Sequence, residues 1–352
     1  MKTAIEEGAW NCVVECARVK NGDSVLILNQ SGSADPEVSE ALAQAARESG
    51  AQVHVFWGDP VPKLSETLPK TLVGALLSSD VAVITYPSLR REVLHSYVKG
   101  KEVTRSGNAA RTVALMGSEW ARFPFGVEQA IIDRLDEIMA HARTWRIATP
   151  GGTDIRGEFA GAGSVIAGAY FEKDEADTRF SRSFPGGVHT PFDSVKVEGV
   201  IMVEHLSGLA AKGNAVAVER PFPVEIKDNR IASIQGEDSG AETLRREIED
   251  RKDGGYDFMD SWHAGTNPKT TVLYERKKEP RLWWNYAHWS PLSLHFHLGR
   301  TVNPITLCCF NETVWVDGRK IYDEGKLSIL NDIESEAKKH SGNLFESVPL
   351  PI

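Results

Sequence analysis

The sequence predicts two parts of different texture: an N-terminal parallel-sheet α/β domain over residues 1–150, then an antiparallel, β-rich (α+β) domain over residues 151–352. Three observations lead there. A chain of 352 residues exceeds what one ordinary core encloses. Its first part alternates unbroken apolar runs with helix-period segments, the pattern of a parallel sheet covered on both faces. After Gly151 the strands shorten and alternate, glycines multiply and hairpin turns recur.

The opening MKTAIEEGAWNCVVECARVK reads as an amphipathic helix. SVLILN, Ser24 to Asn29, is the first strand, and PEVSEALAQAARESG the helix after it, with Gly50 as its C-cap. AQVHVFW is a second strand, LVGALLSS a second helix, DVAVITYP a third strand, and TVALMG, Thr112 to Gly117, a fourth. The loop NQSGSADP follows the first strand where nucleotide-binding folds place their phosphate cradle, but neither G-x-G-x-x-G nor G-x-x-x-x-G-K-[ST] is present. The domain is therefore expected to support oligomerisation or to wall off an active site. In the second part, FPVEIKDNRIASIQG is a hairpin turning at Asp228-Asn229. AETLRREIEDRKDGG is a helix stopped by Gly254-Gly255, and ESEAKKHSGNLFESVPLPI a polar helix with a fraying tail.

Composition removes several function classes. The hydrophobic fraction of 41% and charged fraction of 25% are those of a globular protein. A net charge of −9, without any Lys/Arg-rich run, would repel a phosphate backbone, so nucleic acid is not an expected partner. The N-terminus lacks the apolar core of a signal peptide and no segment suits a membrane span, which predicts a cytoplasmic protein. Cys12, Cys16, Cys308 and Cys309 are too few for a disulfide scaffold and read as small buried hydrophobes. No G-x-S-x-G elbow supports a serine hydrolase.

The chemistry concentrates near the C-terminus. Four of the 10 histidines, His263, His288, His295 and His297, fall in a stretch that also holds Trp262, Trp283, Trp284, Tyr286 and Trp289. In PLSLHFHLGR the two-residue strand period sets His295 and His297 on one face and Phe296 on the other. Paired imidazoles on one face offer two ligands for Zn, Fe or Mn. His263, in the loop-like DSWHAGTNP, can supply a third, with Asp260, Glu158 and Glu198 as carboxylates able to complete or orient the set. The plainer alternative makes these histidines ordinary hydrogen-bonded strand residues. His189, in FPGGVHTPF, is a further candidate, and Arg156, Arg182, Arg281 and Arg300 are candidate anion binders.

Several strings together resemble a known family. GTDIRG, then FPGG with the following Thr190-Pro191 and Glu198-Gly199, then GTNP, then VDGRKIYDEGK, resemble in order the C-terminal motifs of the aminopeptidase T-like metallopeptidases. The N-terminal DVAVITYP region resembles theirs as well. The departures matter more. Where those peptidases carry metal-bridging glutamates, this chain has Val188 after the paired glycines and Ser261 ahead of GTNP. Without two bridging acids a dinuclear cage is disfavoured.

The chain is closer to the mononuclear branch of that superfamily, the Fe(II)-dependent 2,5-dihydroxypyridine 5,6-dioxygenases. The resemblance implies three ligands, His263, His295 and His297, the last replacing an aspartate. A second alignment sets HFHLG on the peptidases' His-Ile-Ala-Leu-Gly strand, and then Asn303 and Ile305 occupy the paired ligand positions. The expectation is a metalloenzyme with one divalent metal per chain, Fe(II) ahead of Mn(II) or Zn(II), acting on a small aromatic or heteroaromatic molecule. His288 and Tyr286, with His189, are its candidate catalytic groups, and the Trp283 to Trp289 stretch is expected to line an apolar pocket. A ring-cleaving dioxygenase ranks ahead of a metal-dependent hydrolase of amides or peptides, and both ahead of a non-catalytic binding protein. A homo-oligomer is expected.

Overall fold

The computed structural model describes all residues except 1, 62–66, 90–93, 95–96, 98–102, 162–163, 168–180, 192, 211–214, 302, 334, 336–338, 341–343 and 352. The contacts divide the chain into one unit of Met1–Gly126 with Gly168–Gly187 and another of Val127–Ala167 with Val188–Ile352. This is not the single cut at residue 150. Strand Thr144–Ala148 pairs with Asp154–Phe159 and with Thr313–Val316, so backbone hydrogen bonds tie it to the second unit.

Among the described residues the first unit holds a parallel sheet in the order Gln52–Gly58, Ser24–Gln30, Val81–Thr85, Thr104–Asn108, Ser181–Phe184. Val25 to Gln30 and Val81 to Thr85 are buried throughout, as strands covered on both faces must be. Helix Pro36–Glu48 starts with proline in its first turn and buries Val38, Leu42, Ala43, Ala45 and Ala46 along one stripe.

TVALMG is not a strand. The Thr112 hydroxyl accepts from Leu115 N at 3.3 Å and caps a short helix, Val113–Met116, that stops at Gly117. Six apolar residues cannot be told from a strand by period, and here the cap decides. The fourth strand is the polar Thr104–Asn108. At its end the Asn108 side chain donates to Thr85 Oγ1 at 3.3 Å and accepts from Ala110 N at 2.9 Å. The expected C-terminal helix falls partly outside the described residues, with a 3-10 turn at Leu330–Ile333 ahead of it.

The second unit is an antiparallel sheet. Its path runs from Lys326–Leu327 through Thr144–Ala148, Asp154–Phe159, Ser194–Ser207, Ile305–Phe310, Ser293–Leu298 and Met259–Gly265 to Val188–Pro191 and Ser164–Ala167. The hairpin of Ala215–Lys227 and Arg230–Ile234 turns at Asp228 and Asn229 with φ of 49° and 64°, the left-handed pair that a two-residue turn needs. Asn229 is buried, and its amide donates to Ser194 O at 2.7 Å and Met259 O at 2.9 Å. That hairpin thereby fixes the start of the strand that carries His263. No helix among the described residues is long and apolar enough to cross a membrane.

Candidate metal centre

Three neighbouring strands build the centre. Met259–Gly265 pairs with Ser293–Leu298 so that Ser261 opposes His297, Trp262 opposes Phe296 and His263 opposes His295. Paired residues share a face, so Ser261, His263, His295 and His297 stand together, while Trp262 and Phe296 fill the core behind them, each fully buried. The next strand adds Thr306 and Cys308 to the histidine face. Ring centroids lie 4.9 Å apart for His263 and His295, 3.9 Å for His263 and His297, and 5.2 Å for His295 and His297. One ring nitrogen from each of the three falls within 4.8 Å of the others, close enough to share one ion.

Burial sets the charge of this group. Desolvation pulls His297 down to about 4. His263 and His295 are held well below the ordinary imidazole value by desolvation first and then by the neighbouring rings. Three neutral imidazoles thus present lone pairs at neutral pH, and the buried Nδ1 of His295 has no hydrogen-bond partner. A divalent cation fits this donor set, since the pocket offers nitrogen ligands and an orphaned acceptor but no positive charge of its own.

The surrounding loops are pinned. Gly265 approaches the turn after helix Pro280–Ala287 so closely that a Cβ would lie 2.2 Å from the Trp289 carbonyl carbon, which explains the glycine of GTNP. Thr266 Oγ1 donates to the buried Glu128 carboxylate at 2.5 Å. His288 caps the same helix, and its Nδ1 donates to the Trp284 carbonyl at 2.6 Å, leaving Nε2 as the acceptor. Burial lowers His288 to about 4, against the opposing effect of that carbonyl. Trp284 meets His295 edge-on at 5.2 Å, and the His288 ring lies 6.4 Å from it.

Other candidates stand elsewhere. His189 opposes Ala264 across the strand pair, which sets it on the Trp262 face of the sheet, edge-on to that indole at 5.5 Å. Thr190, the next residue, takes the histidine face and meets His263 Nδ1 at 2.7 Å. Tyr286 is buried and stacks on Tyr274 at 5.7 Å, so the ring contacts from its helix to His295 come from Trp284 and His288. Trp283 is core, packed against Phe310 and His205.

Glu158 pairs with Lys196 and Glu198 with Arg156, both lining a surface groove of about 660 Å³ with Trp315 and Arg146. Arg300 pairs with Asp260 at 3.0 Å, and Arg281 is exposed on its helix. The Arg182 side chain lies outside the described set. Two further residues belong to the histidine face by strand alternation: Thr190 follows the His189 position by one, and His205 opposes Cys308 on the same face as His295. His205 stacks on Trp284 at 5.4 Å, and burial lowers it to about 3, helped by Arg276.

Residues 7–260 match the family model NicX, 2,5-dihydroxypyridine 5,6-dioxygenase, and the three clustered histidines lie beyond that match. No curated protein matches the sequence. Among solved structures, the 2,5-dihydroxypyridine dioxygenase of Pseudomonas putida KT2440 is similar with a TM-score of 0.66 at 16% identity, covering 92% of this chain and 96% of that one. Wild-type AmpT from Thermus thermophilus follows with a TM-score of 0.54 at 14% identity, covering 92% and 99%. The fold is that of the superfamily inferred from the ordered motifs, and the family match over 7–260 is to its dioxygenase branch: the chain belongs to the 2,5-dihydroxypyridine 5,6-dioxygenase family, whose members are ring-cleaving dioxygenases.

Proposed function

We propose that this ring-cleaving dioxygenase works through one Fe(II) held by His263, His295 and His297, and that it opens a small, anionic hydroxy-heteroaromatic ring of the 2,5-dihydroxypyridine type. The observation that carries the reading is the cluster itself, three buried imidazoles with one nitrogen each within 4.8 Å. When bound, the iron would supply a Lewis-acid contact for an anionic oxygen of the ring and a redox partner for dioxygen. Three neutral ligands leave the charge of the ion uncompensated, which favours a phenolate-bearing substrate. Trp284 offers an apolar ring beside His295 for the heterocycle. His288, with Nδ1 committed to the Trp284 carbonyl, keeps Nε2 as a hydrogen-bond acceptor that can orient the substrate hydroxyl. Mn(II) and Zn(II) suit the same donors less well for oxygen chemistry.

The reading includes a cytoplasmic location, which four buried cysteines suit. It also includes a homo-oligomer, which the exposed Val55 and Trp57 on the edge strand Gln52–Gly58 suit.

The test is turnover of 2,5-dihydroxypyridine by the Fe(II)-reconstituted chain in labelled dioxygen. Both new oxygen atoms of the product are expected to carry the label, with no product under strict anaerobiosis. Equal turnover without oxygen, with the new oxygen drawn from labelled water, would overturn the reading in favour of a metal-dependent hydrolase.

A further inference from the structure

Two hydroxyls flank the His263 ring, one at each nitrogen. Ser261 Oγ lies 2.9 Å from Nε2 and Thr190 Oγ1 lies 2.7 Å from Nδ1. They come from different directions. Thr190 belongs to Val188–Pro191, which pairs with the His263 strand on the flank opposite to Ser293–Leu298. Nδ1 therefore engages the strand away from His295 and His297. Ser261 opposes His297 in register, so Nε2 is the nitrogen on the side of the cluster.

The surroundings of the Thr190 hydroxyl favour one direction for its bond to Nδ1. Thr190 Oγ1 also reaches the Val188 carbonyl at 3.5 Å, and a carbonyl can only accept. A hydroxyl has one proton to give. Donated to that carbonyl, it leaves the oxygen to accept from an Nδ1–H. A neutral imidazole with its proton on Nδ1 carries its lone pair on Nε2, the atom a metal would need.

We propose that Thr190 is a positioning residue, one that accepts the Nδ1 proton of His263 and so holds the tautomer and ring angle in which Nε2 faces the metal. The proposal rests on the reading of His263, His295 and His297 as ligands. Ser261 then has the opposite role. Its hydroxyl donates to the same Nε2 lone pair while the site holds no cation and must release it when one binds. Two hydroxyls on one ring are thus predicted to act on metal affinity in opposite senses.

The test compares the full-length apoproteins of wild type, Thr190→Val, Thr190→Ser, Ser261→Ala and His295→Ala. Each is titrated anaerobically with Fe(II), and with Zn(II) against a chromophoric chelator. Loss of an outer partner of a ligating histidine weakens metal binding by about 10–100-fold, and that is the expected loss in Thr190→Val. Thr190→Ser keeps the hydroxyl and is expected to restore wild-type affinity, while Ser261→Ala binds as tightly as wild type or more tightly. Wild-type affinity in Thr190→Val, or a Thr190→Ser as weak as the valine variant, would overturn the proposal and leave the ligand set standing. Undiminished binding in His295→Ala would instead overturn the ligand reading. Nitrogen-15 histidine spectra of the Zn(II)-loaded wild type read the tautomer without any variant: a proton on His263 Nδ1 and metal on Nε2 support the proposal, and the reverse overturns it.

Discussion

His189 stands edge-on to Trp262, ring centroids 5.5 Å apart at 82°, with both of its nitrogens buried and without hydrogen-bond partners. Such a ring stays neutral, and burial alone takes it down to about 3. In the unfolded chain the same imidazole protonates near the ordinary value of about 6.5. Between those values the unfolded state binds the extra proton, so stability falls as pH drops from about 6.5 toward 3. One such group contributes a slope of up to about 1.4 kcal/mol per pH unit. His189→Leu is expected to fold and to show a shallower loss of urea midpoint from pH 7 to pH 5 than wild type. Parallel profiles for the two proteins would contradict the neutral, buried ring.

Glu312 poses the mirror case. It is fully buried, both carboxylate oxygens lack a hydrogen-bond partner, and desolvation, aided by nearby Glu204, holds its carboxyl well above the usual range. The unfolded carboxyl ionises near pH 4.5 while the folded one keeps its proton, so this group costs stability increasingly as pH rises through neutrality. The isosteric, uncharged Glu312→Gln is expected to melt higher than wild type at pH 8, with the gap closing toward pH 4.5. A lower melting point at pH 8 would mean that Glu312 is ionised and paired.

Gly265 tolerates no side chain. An added Cβ would come within 2.3 Å of the Trp289 carbonyl oxygen and 2.4 Å of that of Ser290, both backbone atoms that cannot swing aside. Gly265→Ala is expected to lose about 1–3 kcal/mol by overpacking, and to loosen the join between the His263 strand and the His288 turn. Chemical denaturation measures the first effect. Metal affinity measures the second, and an alanine variant as stable as wild type would show that the two segments are not in close contact.

Metal stoichiometry tests the one-ion reading of this centre. The cluster of His263, His295 and His297 contains no carboxylate, and two cations would repel each other without negative charge between them. Elemental analysis is expected to find about one ion per chain after reconstitution, lost in His295→Ala and in His297→Ala. Two tightly held ions per wild-type chain would contradict the mononuclear arrangement.

Much of this architecture is legible in the sequence because it depends on local patterns. The runs of Val25 to Leu28 and Val81 to Ile84 announce buried strands, the Asp228-Asn229 pair a hairpin, and the period of two at His295 and His297 a shared face. What escaped depends on partners distant in sequence. Thr104–Asn108 has no apolar run and becomes a strand only because Val81–Thr85 and Ser181–Phe184 hydrogen-bond to it on either side. His189 looked like a site residue and Thr190 did not, because only the pairing of Ala264 with His189 reveals which of the two faces His263. Glu158 and Glu198 carry the right chemistry, but Lys196 and Arg156 already hold them at the rim of a separate groove.

The parallel sheet also has a temporal order. Its first four strands lie within residues 24–108, but the fifth, Ser181–Phe184, is reached only after the chain has passed through Thr144–Ala148 and Asp154–Phe159 of the other unit. During synthesis, therefore, the partner that Ser181–Phe184 provides for Thr104–Asn108 is available only once residue 184 has left the ribosome. By then strands of the other unit have also emerged, so completion of this sheet waits on chain beyond them. A chain truncated near residue 150 would carry that open strand permanently, an invitation to edge-to-edge association that the full-length sequence closes from within.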